Sequence, residues 1–155
     1  MIKSHEEWMQ FCLELAQKAE KKNEVPVGAC VVGPEGLIST GYNLRETLQS
    51  SLGHAEILAI HKAHKIRKNW RLEDCTLYVT LEPCLMCAGA IVQSRIQNVI
   101  FGAYDKKAGA VRSLYHLCED SRMNHQVNVF EGVLQNECSQ MLTNFFKDLR
   151  KAKKK

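Results

Sequence analysis

The sequence predicts an α/β fold in which one five-stranded mixed sheet is covered by helices on both faces. Three observations predict it. Short β-branched or aromatic runs alternate with longer stretches of helical apolar spacing, in the order α-β-β-α-β-α-β-(α)-β-α. The first two strands flank the turn Gly33-Pro34-Glu35-Gly36, whereas the later ones are separated by helices, which makes the sheet mixed. The length of 155 residues, 45% of them hydrophobic and 25% charged, suits one ordinary domain spanning 1–155.

Ser4 and Glu7 form a capping box that opens a helix with Trp8, Cys12, Leu15, Ala16 and Ala19 along its apolar stripe. Val25-Pro26 ends the connection that follows. VGACVVG (27–33) and LISTGYN (37–43) read as two strands around the turn. A helix then runs from His54 to about Ile66, with Ala55, Leu58, Ala59 and Ile66 among its apolar positions. CTLYVTL (75–81) is a buried strand by its β-branched and aromatic content. Pro83 fits the first turn of a helix running through CLMCAGAIVQSRI (84–96). NVIFGA (98–103) is another strand, and a polar stretch containing a short helix extends through Asp120. VNVFEGVL (127–134) is the last strand. The final helix carries Cys138, Met141, Leu142, Phe145, Phe146 and Leu149 at helical spacing. Phe145 and Phe146 are adjacent, so only one of them points fully to the core.

Composition excludes several classes. No run of 18 or more apolar residues exists, so nothing in the sequence spans a membrane. The N-terminus MIKSHEEWMQ lacks the apolar stretch of a secretory signal, which predicts a cytoplasmic protein. The formal charge of +4 is concentrated at one end. Residues 147–155 hold six basic side chains and one acidic, net +5, leaving −1 for the rest. Such a tail suits a polyanionic partner, although it also suits a solvated helix end. Seven cysteines, an odd number in a chain without an export signal, argue against a disulfide framework.

Two segments carry the chemistry: His54-Ala55-Glu56 and Pro83-Cys84-Leu85-Met86-Cys87. Each opens a helix just after a strand or loop. Cys84 and Cys87 are three apart, so one helical turn presents both sulfurs on one side, as two vertices of a tetrahedral zinc site require. His54 is the natural third ligand. Cys75 lies six strand residues from Leu81, roughly 20 Å at about 3.3 Å each, out of reach. Three protein ligands with an open fourth position mark catalytic rather than structural zinc, here one ion per chain. Two thiolates, one imidazole and hydroxide around zinc sum to −1, which two helix N-termini would compensate. Glu56 is better placed to move protons between water and substrate than to bind the metal. Separately, the CxxC also fits a redox pair or half a zinc knuckle, and the histidine a helix cap. Together, in the order HxE…PCxxC, they form the zinc-deaminase signature.

The resemblance is then specific. LYVTLEPCLMCAGAIVQSRI (77–96), EVPVGA (24–29), Asn43, FGAYDKKAGA (101–110), MNH (123–125) with the EG at 131–132, and the EC and FF of the last helix are similar to the bacterial tRNA-specific adenosine deaminases. HAE and PCxMC alone would fit cytosine, guanine and nucleoside deaminases as well. The resemblance implies a cytidine deaminase-like three-layer α/β/α sandwich, a homodimer, and deamination of adenosine to inosine at the wobble position (34) of a tRNA anticodon stem-loop. By the same resemblance Asn43 holds the purine and Pro26 and Val27 line the base pocket. Asp105 contacts the RNA sugar backbone and Lys107 belongs to the RNA-contacting basic residues. The chain departs from the family pattern at Ser50-Ser51-Leu52-Gly53 and at Val111-Arg112-Ser113. The basic run Lys62, Lys65, Arg67, Lys68 and Arg71 reads as helix-end charge before RNA contact. Two other readings compete: a deaminase of a free base or nucleoside, and an RNA-binding module with a structural zinc, for which Glu56 would be dispensable.

Overall fold

The computed structural model describes residues 2–154. Its elements are α1 (His5–Glu20), β1 (Gly28–Gly33), β2 (Gly36–Tyr42), α2 (Arg45–Leu48), α3 (Ala55–Arg67) and β3 (Thr76–Leu81). They continue with α4 (Leu85–Gln93), β4 (Asn98–Ala103), a 3₁₀ turn (Leu117–Glu119), β5 (Asn128–Phe130) and α5 (Gln135–Lys153). The five strands form one mixed sheet in the order β2-β1-β3-β4-β5. β1 is antiparallel to both β2 and β3, while β3, β4 and β5 run parallel.

Strand periodicity sorts the core into two layers. Cys30, Tyr78 and Ile100 are register partners across β1, β3 and β4, and they pack with Trp8, Met9 and Cys12 of α1 and Cys138 of α5. Their strand neighbours Ala29, Val31, Leu77, Val79, Val99 and Phe101 face the other way, onto Ala55, Ala59 and Ala63 of α3 and Ala88, Ile91 and Val92 of α4. The expected α/β/α sandwich follows from this alternation. Close packing on both faces depends on glycine. A Cβ on Gly28 would overlap the carbonyl oxygen of Cys12, and one on Gly41 would lie 2.8 Å from the backbone N of Ala59. The capping box forms as the sequence predicts, with Ser4 Oγ accepting from Glu7 N–H and Glu7 Oε1 from Ser4 N–H, both at 3.1 Å.

The structure corrects several boundaries. The last strand spans 128–130 rather than 127–134, because Gly132 (φ 75°) and Leu134 (φ 52°) turn the chain out of the sheet into α5. Pro83 lies before α4 rather than in its first turn, and α4 stops at Gln93 as Arg95 takes φ 61°. The short α2 has no signal in the sequence. Its exposed residues have no apolar stripe, and a distant side chain, Glu24, accepts from its N–H groups. Ile66 is 61% exposed instead of joining the apolar face of α3. Of the six apolar positions of α5 only Cys138 is buried; Phe145 is half-buried and Phe146 is 41% exposed. No helix among the described residues is long and apolar enough to cross a membrane.

Candidate active site

Because β1 runs against its neighbours, the start of β1 and the ends of β2, β3 and β4 lie at the same end of the sheet. Loops beyond the carboxyl ends of strands are where α/β sheets place ligands. Here they enclose a cavity of about 230 Å³. Val25 and Val27 line it from the approach to β1, Asn43 and Arg45 from the exit of β2, and Leu81 and Glu82 from the end of β3. Asp105 and Ala108 follow β4, and His54, Ala55, Glu56 and Cys84 come from the starts of α3 and α4.

His54 and Cys84 are the residues immediately before their helices, with extended backbone (ψ 148° and 178°). Such positions normally hold a side chain that caps the helix. Neither His54 nor Cys84 caps, so both side chains are free to meet across the cavity floor. His54 Nδ1 lies 3.6 Å from Cys84 Sγ and 3.5 Å from Cys87 Sγ. One donor atom from each of the three residues falls within 4.8 Å of the others, the only such group of three among the described residues. The donor set fits a metal ion that prefers nitrogen and sulfur.

The electrostatics say the same. The Cys87 thiol donates to Cys84, which with His54 holds the Cys84 thiol down at about 4, while the Cys87 thiol is driven far up by that same contact and by burial. One proton shared between neighbouring sulfurs is what a cation replaces when it holds both as thiolates. Hydrogen bonding to Cys84 raises His54. Glu56, 4% exposed, points into the same cavity, and burial pushes its carboxyl up to about 7. A carboxyl poised near neutrality can both take and give a proton.

Two buried carboxylates flank the cavity. Glu24 accepts from Glu46 N–H (3.1 Å), Thr47 N–H (2.6 Å) and Thr47 Oγ1 (2.7 Å). Burial raises Glu24, but the donors from Thr47 and Glu46 outweigh it and hold the carboxyl below its ordinary value. Glu82 is held low in the same way, its burial outweighed by donors from Ser113, Arg112 and Asp105. Asn43 is fixed on the wall: its Nδ2 donates to Val25 O (3.1 Å) and its Oδ1 accepts from Arg45 N–H (3.0 Å). Asp105 Oδ1 accepts from Lys107 and Ala108 N–H, both at 3.1 Å. The divergent segment at 50–53 supports the histidine directly, since Leu52 O accepts from His54 N–H at 2.8 Å.

Of the residues singled out in the sequence, His54, Glu56, Cys84, Asn43, Val27 and Asp105 share the cavity, and Cys87 adjoins His54. Pro26 is buried beside Val27 and does not line it. Lys107 lies in a separate groove with Leu142, Thr143, Phe146 and Arg150. Sequence reasoning missed Arg45 and Glu82, and for Glu82 the available signal was a charged residue wedged between a buried strand and Pro83-Cys84. The remaining cysteines, Cys12, Cys30, Cys75, Cys118 and Cys138, are all buried away from this cluster.

Comparison with known proteins agrees with this geometry. Residues 3–150 match the family model of the MafB19-like deaminases. The chain is 52% identical to a tRNA-specific adenosine deaminase of Bacillus subtilis, over 95% of this chain and 91% of that one. It is 49% identical to the Haemophilus influenzae protein of the same name, over 96% and 87%. Among solved structures, one from a study of A-to-I editing by tRNA:A34 deaminases at the wobble position superposes with a TM-score of 0.83 at 36% identity, covering 87% of this chain and 98% of the other.

Proposed function

The chain belongs to the MafB19-like deaminases, among the tRNA-specific adenosine deaminases, and on that premise we propose that it converts adenosine to inosine at the wobble position (34) of a tRNA anticodon. The observation that carries this reading is the convergence of His54, Cys84 and Cys87 with the buried Glu56 at one small cavity. The cavity's 230 Å³ is below the usual 300–1,000 Å³ of sites that take drug-sized ligands, so it suits one base flipped out of an RNA loop.

The reaction adds water at C6 of adenine and releases ammonia. The metal that His54, Cys84 and Cys87 would hold is zinc, by their nitrogen and sulfur donors, and when bound it supplies the Lewis acidity that makes water acidic near neutral pH. Glu56 takes the proton from the attacking water and delivers it to N1 of the purine, which must accept electron density as C6 becomes tetrahedral. It then takes the proton of the C6 hydroxyl and hands it to the exocyclic nitrogen, which leaves as ammonia while the C6 oxygen becomes the carbonyl of inosine. Asn43 is positioned to hold the purine edge and Val27 to pack on its face, with the apolar wall excluding bulk water. Asp105 and Lys107, at and beyond the cavity mouth, are suited to the flanking sugar-phosphate.

A structural zinc module would need a fourth protein donor, and among the described residues the cluster offers three. A homodimer belongs to the same proposal, supported by the exposed apolar side chains of Leu85, Leu114 and Tyr115, as does a cytoplasmic location, where tRNA is processed. The test is incubation with a transcript of a tRNA bearing an ACG anticodon, sequenced for inosine, beside free adenosine, guanine and cytosine. Inosine at position 34 is the expected result. Turnover of a free base or nucleoside with none on tRNA would overturn the reading.

A further inference from the structure

The carboxylate of Glu82 is 2% exposed and surrounded by donors from one segment of chain. Its Oε1 accepts from Asp105 N–H at 3.1 Å and from Ser113 Oγ at 2.5 Å. Its Oε2 accepts from Val111 N–H at 3.1 Å, Arg112 N–H at 2.7 Å and Ser113 N–H at 2.8 Å. A carboxylate offers about four lone-pair directions, so this one has nothing left for a base, a water or a transferable proton. Its charge is met by backbone amides rather than by a cation. The guanidinium of Arg112 turns away to Glu119 and Glu131.

The donors come from both ends of residues 105–113, so one anion closes that segment into a loop. Asp105 and Ala108 of the loop line the cavity. The segment is also fastened to the turn that carries Cys84: Ala110 N–H donates to Pro83 O at 2.9 Å, and Gly109 forms a bridge with Cys84. The backbone at Gly109 lies so close to the carboxyl that a Cβ there would overlap it. Glu82 N–H in turn donates to Ala103 O at 2.8 Å, tying β3 to the end of β4.

We infer that Glu82 is a positioning residue for tRNA: by gathering the amides of Asp105 and Val111–Ser113 it shapes the loop at the cavity mouth to receive the nucleotides around the target base, and takes no part in the proton transfers. The inference rests on the tRNA deaminase reading above. Glu82→Gln keeps the shape, but its NH₂ group would face N–H donors and its charge is lost.

The experiment measures tRNA deamination, metal content by elemental analysis, and amide hydrogen exchange over 105–113 for the wild type, Glu82→Gln and Glu82→Asp. For Glu82→Gln the expected result is unchanged metal, faster exchange in the loop, kcat within about threefold, and a KM for tRNA raised at least about tenfold, as loss of hydrogen bonds to a charged group implies. Glu82→Asp keeps the charge and should fall between. A folded, metal-loaded Glu82→Gln with wild-type KM overturns the inference. So does a loss of metal or kcat at constant KM, which would assign Glu82 to the Cys84 side alone. If Glu82→Gln does not fold, Ser113→Ala removes a single donor and should raise KM about threefold with metal and kcat intact; an unchanged KM overturns the inference. A wild type inactive on tRNA defeats the functional reading and this inference with it, whereas an active wild type matched by Glu82→Gln defeats only the inference.

Discussion

Nδ1 of His54 stands 3.6 Å from Sγ of Cys84, although the two residues are 30 positions apart and each immediately precedes a different helix. That pairing makes the candidate metal site a product of two helix starts brought together by the sheet. Purified protein should carry one zinc per chain by elemental analysis. Cys87→Ala should lose it, and Cys75→Ala, buried outside the cluster, should retain it.

Glu56 separates catalysis from metal binding. Glu56→Ala and Glu56→Gln should keep zinc, fold and tRNA affinity while losing at least about 10²–10⁴ in rate, the range for general acid–base catalysis. The measurement is single-turnover inosine formation beside elemental analysis. A rate within a few-fold of wild type would remove Glu56 from the proton path, and loss of zinc would make it a support of the metal.

Gly41 sets how closely α3 approaches β2, since a Cβ there would overlap the carbonyl oxygen of Ala55. Ala55 lies between His54 and Glu56, so any shift reaches the site. Gly41→Ala should cost about 1–3 kcal/mol of stability, as overpacking does, read as a lower urea midpoint. Its activity should fall by more than its unfolded fraction explains.

Glu24 and Glu82 both have folded-state carboxyls held below their ordinary value. Their stabilisation is complete above the unfolded value of about 4.3 and is lost as pH falls through the lower folded values. The contribution of these two carboxylates should therefore hold between pH 7 and 5 and fade increasingly below about pH 4, read as the difference in thermal midpoint between wild type and Glu82→Gln. Glu82→Gln should start lower at pH 7 and show a shallower acid-side decline than wild type.

The basic end continues α5 as far as Lys153, and Arg150 shares a groove with Lys107, Leu142 and Phe146. Deleting residues 150–155 should weaken tRNA binding and flatten its dependence on salt, because fewer counterions are released. Turnover at saturating tRNA should change less. An unchanged salt slope, measured by binding titrations at several ionic strengths, would make these charges a solvated helix end.

The sheet and its two helical layers were legible because strand and helix periods differ, and Cys30, Tyr78 and Ile100 keep strict alternation with their neighbours. The His54, Cys84 and Cys87 cluster was legible because CxxC spacing and a helix start constrain where side chains can reach. What the sequence hid depends on long-range contacts. Glu24 organises α2 from a position 22 residues earlier, and Glu82 gathers amides up to 31 residues later. Neither relation has a local pattern. The early end of β5 also escaped notice, since VNVFEGVL reads as a strand until Gly132 adopts φ 75°. On α5 the apolar spacing is real, but only Cys138 is fully buried and Phe146 and Leu149 stay exposed.

The strand order leaves β2 and β5 at the two borders of the sheet. β2 is irregular against its partner, with a register shift opposite Val31 and Val32, and Lys62 Nζ donates to its Thr40 carbonyl at 3.1 Å. β5 is three residues long and gives way at once to a turn. Bulges, lysines and very short strands are the devices that blunt a border against edge-to-edge pairing. These features make the sheet a poor template for extension by a neighbouring molecule. Self-association is thereby turned toward surfaces other than the strand borders, and the aggregation that an open β surface invites is disfavoured.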